Sequence, residues 1–523
     1  MRDKPSTAPS SQRRPVKTRH RLALALAAGG VFALGVPPID AWPAVFVSLV
    51  LLAASWDGAT PRVGFVCGWL MGTTATLGGW HWLIGTVTRF TDLPSIAAVG
   101  IYVLMACGAG LTLGAAGLLV GASARVLTHP IACVLAIFVA ERYAPSLFPW
   151  SIASPLIDAP WIPQAADVLG VSGLAAVLLG VAAVAARAMT ARHDATKRVS
   201  RVEWITALVV FVSLWGYGAM RTTQVRRAID ASPVVHVALL QPAIPTNERS
   251  DEQTLAAIAS TLRSHTFAAM NARVDLVVWS EGAFPYPLPA RATRDGAEAE
   301  PVFTGPTDAP VLVGALAVDR EGHHFNAAFI REPDGQLGPP VAKRVLVPFG
   351  EYVPWISAIP WVRRTLSHVD PLTAGDRPEL LRTESGLSLG VLNCFEDTLA
   401  YVAADVRSAH LLVNITNDAW FGTSAAPWQH LMLARWRSIE LRREMVRAVN
   451  TGITGRVDGL GRLVEHAPLG VSTTLRVDAR RLSIGTIAPS VIRFAPPASA
   501  LALAAAIGVA VARRRREARR SRP

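Results

Sequence analysis

From Val63 to Thr88, from Leu93 to Ala124 and from Val168 to Ala186 the chain carries no Asp, Glu, Lys or Arg. Coiled as a helix, each run is long enough to cross a bilayer core of about 30 Å. Backbone in lipid finds no water to bond to, so such runs must satisfy their own N–H and C=O groups as helices. Four shorter apolar runs accompany them, Leu22–Ile39, Ala41–Trp56, Val126–Ala140 and Trp204–Met220, and Phe494–Ala512 stands alone near the C-terminus. The pattern predicts a multi-span α-helical membrane domain with eight transmembrane helices: seven within residues 22–220 and an eighth at 494–512. More apolar runs follow the first at once, so the first is not expected to be a cleaved signal peptide. Composition agrees. Apolar residues make up 51% of the 523, charged residues only 17%, and mean hydropathy is +0.34. A soluble chain carries about 25% charged residues, so disordered, collagen-like and disulfide-stapled classes are excluded.

The formal charge of +13 could point to nucleic acid. The basic residues, however, cluster beside the apolar runs, which a membrane explains more directly. Residues 1–21 form a basic tail, and further Lys and Arg follow at Arg62, Arg125, Arg187–Arg201 and Arg513–Arg522. The opposite flanks carry far fewer, among them Arg89, Arg142, Arg221 and Arg493. Positive-inside logic then puts both termini, including tail 513–523, in the cytoplasm and residues 228–492 on the far side.

Residues 228–492 read as one α/β domain. Apolar, β-branched runs recur at Val234–Gln241, Asp275–Trp279, Pro310–Val318, Phe325–Arg331, Leu387–Asn393 and His410–Ile415. Helical patterns lie at Asp251–Ala272 and Pro427–Val449. Alternation of this kind favours a sheet covered by helices. No internal repeat, G-x-G-x-x-G or P-loop is present.

Three segments place polar groups at strand ends: Trp279-Ser280-Glu281-Gly282, Lys343 through Pro354, and Asn393-Cys394-Phe395-Glu396-Asp397. Singly, each has a plain reading as a solvated Glu, a basic strand edge and a small buried thiol. Cys67, Cys107 and Cys133 lie in apolar runs, whereas Cys394 alone sits in polar sequence. At a strand-to-helix turn, N–H groups and the helix dipole are expected to favour a thiolate. Together, a carboxylate to take its proton and an ammonium to steady an oxyanion would complete an acyl-transfer apparatus without histidine.

These segments, with Val347-Pro348-Phe349-Gly350-Glu351-Tyr352-Val353-Pro354, resemble the Glu-Lys-Cys motifs of the nitrilase (carbon–nitrogen hydrolase) superfamily. Asn417-Asp418-Ala419-Trp420-Phe421-Gly422, Gln429-His430 and Arg447–Gly452, with the flanking spans, make the chain similar to the apolipoprotein N-acyltransferase family over nearly all of residues 20–512. The resemblance implies an α/β nitrilase-like αββα sandwich at 228–492. It also implies transfer of an acyl chain from a phospholipid donor to the N-terminal amine of a diacylglyceryl-modified apolipoprotein acceptor. By position it implies Cys394 as nucleophile, Glu281 as general base, Lys343 as the group stabilising the tetrahedral intermediate, and Glu351 and Glu396 as supporting carboxylates. Phe395 stands where the family often has tyrosine, and Arg442-Arg443-Glu444 where it has G-R-P. No metal, cofactor or nucleic acid is expected.

Other residues carry weaker expectations. His430 reads as a packed or capping residue. Glu141-Arg142 reads as a snorkelling pair at a span end, or alternatively as an aid to headgroup entry. Trp355 and Trp361, in the apolar start of the stretch Trp355–Arg382, are expected to line substrate access as part of a lid, with Trp420 beside them. Three competing functions stay open: a membrane-tethered amidase whose thioester is discharged by water, a paralogous acyltransferase acting on another amine, and a polytopic scaffold or transporter whose soluble domain only binds. Few charges interrupt the spans, which counts against a transport path.

Overall fold

The computed structural model describes residues 18–91, 93–144, 149–191, 199–245, 251–354, 359 and 371–520. Among the described residues eight α-helices precede the first strand: α1 (Thr18–Ala33), α2 (Ala44–Trp56), α3 (Pro61–Gly79), α4 (Leu83–Phe90), α5 (Ser95–Ser123), α6 (His129–Tyr143), α7 (Ala166–Ala191) and α8 (Arg201–Ala231). Among the described residues, four helices are long and apolar enough to cross a membrane: α5, α7 with the turn preceding it (Ile162–Ala191), α8, and a last helix Ala488–Arg520. The other four expected runs fold as helices of 13 to 19 residues. The run Val63–Thr88 is not one helix. It breaks at Trp80–Trp82, and α4 sets off separately. Within this bundle α7 is the inner helix, with two thirds of its apolar window covered (67%), whereas α8 leaves most of its surface open (17% covered).

The remainder is a two-sheet sandwich. One sheet has the order β13-β1-β2-β4-β5-β6, with β3 (Leu288–Pro289) off the edge of β4. Its strands are β1 (Val234–Gln241), β2 (Leu276–Val278), β4 (Val311–Val318), β5 (His324–Arg331), β6 (Val341–Ala342) and β13 (Thr473–Arg480). The other has the order β12-β11-β10-β9-β8-β7. It is built from β7 (Leu381–Arg382), β8 (Ser388–Asn393), β9 (Leu411–Thr416), β10 (Met445–Val449), β11 (Gly455–Val457) and β12 (Leu463–His466). Side chains alternate across each strand. Val235, Val237 and Leu239 of β1 meet Leu389, Val391, Val413 and Val446 between the sheets. Ala238 and Leu240 instead pack under α9 (Glu252–Met270). On the far side, Leu392, Leu412 and Met445 pack under α10 (Ala400–Asp405) and α11 (Ala426–Leu441). Both faces of each central strand are therefore buried, which is why these strands read as unbroken apolar runs. The layering is αββα.

The predicted helix Pro427–Val449 is corrected here. α11 ends at Leu441, Arg442 turns into the left-handed region (φ 48°), and Met445–Val449 pairs in parallel with β9. The five apolar-basic residues of β10 have no period that separates strand from helix. α11 also joins the two halves of the molecule: Trp436 and Ile439 belong to the apolar core of the bundle, while Leu431 and Ala434 belong to the sandwich. The last helix, α12 (Ala488–Arg520), returns the chain to the bundle.

Candidate active site

Parallel strands β1, β2 and β4 in one sheet and β8, β9 and β10 in the other end on the same side of the sandwich. In open α/β sheets the carboxyl ends of parallel strands are where ligands are handled. Glu281 follows β2, Cys394 follows β8 and Asn417 follows β9. Gly314 on β4 lets the first of these turns pass close, since a Cβ there would collide with the Ser280 carbonyl. Lys343 follows β6, its N–H donating to Asn326 O at 2.8 Å.

The structure brings Glu281, Lys343 and Glu351 into direct contact. Lys343 Nζ lies 3.3 Å from Glu281 Oε1 and 2.9 Å from Glu351. Asn326 Nδ2 donates to both carboxylates, at 2.7 Å to Glu281 and 2.9 Å to Glu351. The Asn417 N–H donates to Glu281 Oε2 (2.9 Å) and the Val347 N–H to Glu351 Oε2 (2.9 Å). Burial disfavours the Lys343 ammonium, but Glu281, then the Cys394 sulfur and Glu351, outweigh it, so its pKa is raised. Asn326 carried no local signal in the sequence. Only the register of β5 aims it at the two carboxylates.

Cys394 opens a short 3-10 turn, Cys394–Thr398, with φ of 50°. A non-glycine residue in that region is strained and is kept there by its surroundings. Here the surroundings are Glu396, whose Oε2 accepts the Asn393 N–H (3.0 Å) and whose Oε1 accepts the N–H groups of Arg344 (2.7 Å) and Val345 (3.1 Å). Glu396 thereby ties the nucleophile turn to the segment after Lys343. Burial pushes the Cys394 thiol well above its ordinary pKa, and the Glu281 charge pushes the same way while Lys343 opposes. The expectation of a resting thiolate is corrected: a five-residue turn supplies too little field to offset burial beside carboxylates. The direction of the shift favours the protonated thiol over the thiolate.

Phe395 lines a cavity of about 380 Å³ at the seam between bundle and sandwich. Phe138, Leu169 and Ile492 face it from the bundle, and Val345 and Tyr401 from the sandwich. Glu141 and Arg142 also line it. Glu141 Oε1 accepts from Ser151 Oγ (2.9 Å) and the Ile152 N–H (3.2 Å), and the Arg142 guanidinium sits 4.8 Å from the Tyr401 ring centroid. Of the expected access residues, Trp355 and Trp361 lie outside the described residues. Trp420 is described: its carbonyl accepts from Arg89 Nη1 (2.9 Å), and its ring meets Phe90 edge to face. Gln429 is an anchor between the two halves, accepting from Trp82 Nε1 (2.8 Å) and donating to the carbonyls of Pro37 and Gly79.

A carbon–nitrogen hydrolase family model matches residues 236–496, and one for the apolipoprotein N-acyltransferase N-terminal domain matches residues 28–184. An apolipoprotein N-acyltransferase from Caulobacter vibrioides is 31% identical over 497 residues, covering 89% of this chain and 90% of that one. The chain belongs to the apolipoprotein N-acyltransferase family. Relatives of the same name from Geobacter metallireducens (29% identical, 88% of this chain and 90% of that one) and Allorhizobium ampelinum (29%, 85% and 87%) match over a similar length. Family membership thus extends over both the bundle and the nitrilase-like sandwich.

Proposed function

We propose that the protein transfers an acyl chain from a phospholipid to the N-terminal amine of the diacylglyceryl-cysteine of apolipoproteins, through a thioester on Cys394. One observation carries the reading. The half-buried Cys394 thiol lies within electrostatic reach of Glu281 and Lys343, and its neighbour Phe395 lines a cavity that apolar helices help to form. Relatives bearing the acyltransferase name support the donor and acceptor classes.

In the first half-reaction Glu281 takes the Cys394 proton as sulfur attacks the ester carbonyl. Lys343 Nζ stabilises the oxyanion that forms. Collapse breaks the ester C–O bond, and the leaving alkoxide takes the proton from Glu281 and departs as lysophospholipid. In the second, the neutral amine of the acceptor attacks the thioester, Glu281 receives its proton, and the C–S bond breaks to give an amide. The proton returns to sulfur. One difficult substitution becomes two easier ones. Glu351 holds Lys343 in place, and Glu396 holds the nucleophile turn.

The architecture that serves this chemistry is a chain of eight spans in the bacterial inner membrane. Residues 1–21 and 513–523 are cytoplasmic tails, 22–220 and 494–512 lie in the membrane, and 228–492 are periplasmic. The Lys and Arg distribution supports that orientation.

Purified full-length protein in detergent, given phospholipid and a diacylglyceryl-cysteine peptide, tests the reading by mass spectrometry. The peptide should gain one acyl chain as an equal amount of lysophospholipid appears. Free fatty acid without peptide acylation would favour the amidase-like reading, and no turnover at all would favour a binding scaffold.

A further inference from the structure

His430 belongs to none of the steps above, yet it is nine-tenths buried between two carboxylates. Its Nε2 lies 2.9 Å from Asp397 Oδ1, and its Nδ1 lies 3.2 Å from Asp418 Oδ1. A neutral imidazole carries one N–H and one lone pair. In this geometry a lone pair would face a carboxylate oxygen, so only the doubly protonated ring serves both contacts.

The two carboxylates are not equivalent in place. Asp397 is in the nucleophile turn, three residues after Cys394. Asp418 follows Asn417, whose N–H holds Glu281 and whose side chain accepts from Asn450 Nδ2 (3.0 Å). His430 is thus the direct link between the turn bearing the thiol and the loop aligning the carboxylate. Gly452 crosses so close to Asp418 that a Cβ there would strike its carboxylate. Arg447 on β10 pairs with the other oxygen of Asp397. Both acids and Arg447 are fully buried.

We propose that His430 is a positioning residue, held as an imidazolium, that clamps the Cys394 turn to the loop that orients Glu281. The clamp balances charge as well as position. Two carboxylates face one imidazolium and the Arg447 guanidinium, and losing the ring proton would leave one uncompensated buried negative charge. The charged groups around the ring are Asp397 from the nucleophile turn, Asp418 from the loop after β9, Arg447 from β10 and Arg437 on its own helix, α11. Burial opposes the ring charge, but Asp397 and then Asp418 outweigh it and lift the pKa to about 10.

The inference rests on the proposed thioester chemistry, and the tests are chosen to separate the two. In full-length protein, His430→Gln should slow acylation of Cys394 by phospholipid about 10²-fold, the cost of a small misplacement of reacting groups. The KM for lipid should stay near wild type, because nothing the lipid touches has changed. Adding Asp418→Asn to His430→Gln removes the surplus negative charge, keeps the protein foldable and should recover about 10-fold of the loss. Asp418→Asn alone removes one of two carboxylates favouring the imidazolium, so the alkaline limb of the pH–rate profile should move to lower pH. Iodoacetamide labelling of Cys394, followed by peptide mapping, should show the same order of rates and the same displaced limb without any acyl donor. If wild type forms no thioester while labelling follows this pattern, the clamp stands and the acyl-transfer reading fails. A folded His430→Gln with wild-type acylation and labelling rates, or an unmoved limb in Asp418→Asn, overturns the clamp.

Discussion

On the proposed thioester route the physical problem at Cys394 is to make a nucleophile from a thiol whose pKa burial pushes up. The solution available in this site is proximity: a carboxylate held by Asn326 and the Asn417 N–H, beside a lysine that two carboxylates keep charged. Lys343→Ala and Glu281→Gln should therefore each lower single-turnover acylation by about 10²–10³-fold, the range typical of losing one oxyanion donor. Glu281, Lys343 and Cys394 could be singled out in the sequence because each sits in a short string after a strand, and Glu351 and Glu396 only through the family resemblance of the strings that hold them. Asn326 and the Asp397–His430–Asp418 bridge were not, because their partners are 25 or more positions away except for the twelve between Asp418 and His430. Asn326→Ala should slow acylation without abolishing it, since Glu281 keeps the Asn417 N–H, and a stopped-flow thioester assay would measure the loss. The bridge also predicts a pH effect on stability. The folded His430 pKa lies above its ordinary 6.5, so its contribution is fully present below about pH 6.5 and is lost as pH rises towards 10. Melting temperature should fall over that window in wild type, and fall less in His430→Gln.

The elements were read well wherever both faces of a strand are buried, because β1, β4 and β9 then appear as apolar runs with little interruption. Reading failed where a helix and a strand meet without a break in pattern, at Leu441–Met445. What separates them is Arg442, which occupies the left-handed position usually taken by glycine at a helix C-terminus. It is held there by the membrane half of the molecule: Arg442 contacts Asp167 Oδ2 at 3.0 Å and donates to Gln164 Oε1 at 2.7 Å. Asp167 in turn accepts from Arg221 and Tyr217. Arg442→Gly relieves backbone strain of about 1–2 kcal/mol. It also removes one member of a buried ion network, a loss of about 3–5 kcal/mol. The second effect wins, so the variant should be less stable by roughly 1–4 kcal/mol, read as a lower melting temperature in detergent.

Across the whole molecule, α11 is the element that makes bundle and sandwich one unit, with Gln429, Trp436, Glu440 and Arg442 all bonded to the membrane half. The active-site turn and the membrane half are thus coupled in part through this helix, and the cavity beside Phe395 lies along the same seam. Composition and charge announced the two halves, but not the seam. Nothing local to Glu141 and Arg142 shows that Ser151 will bond the first and the Tyr401 ring will meet the second. The eight-span orientation makes its own prediction: cysteines introduced near Thr196 and Arg516 should be shielded from an impermeant thiol reagent in intact cells, while one near Gly335 should react once the outer membrane is permeabilised. The central claim is that Cys394 carries the acyl group. Intact-mass analysis of purified protein mixed with phospholipid, in the absence of acceptor, should show one added acyl chain that hydroxylamine removes and that Cys394→Ala never acquires. An adduct that survives hydroxylamine, or a folded Cys394→Ala enzyme that still acylates the peptide at the wild-type rate, would contradict it.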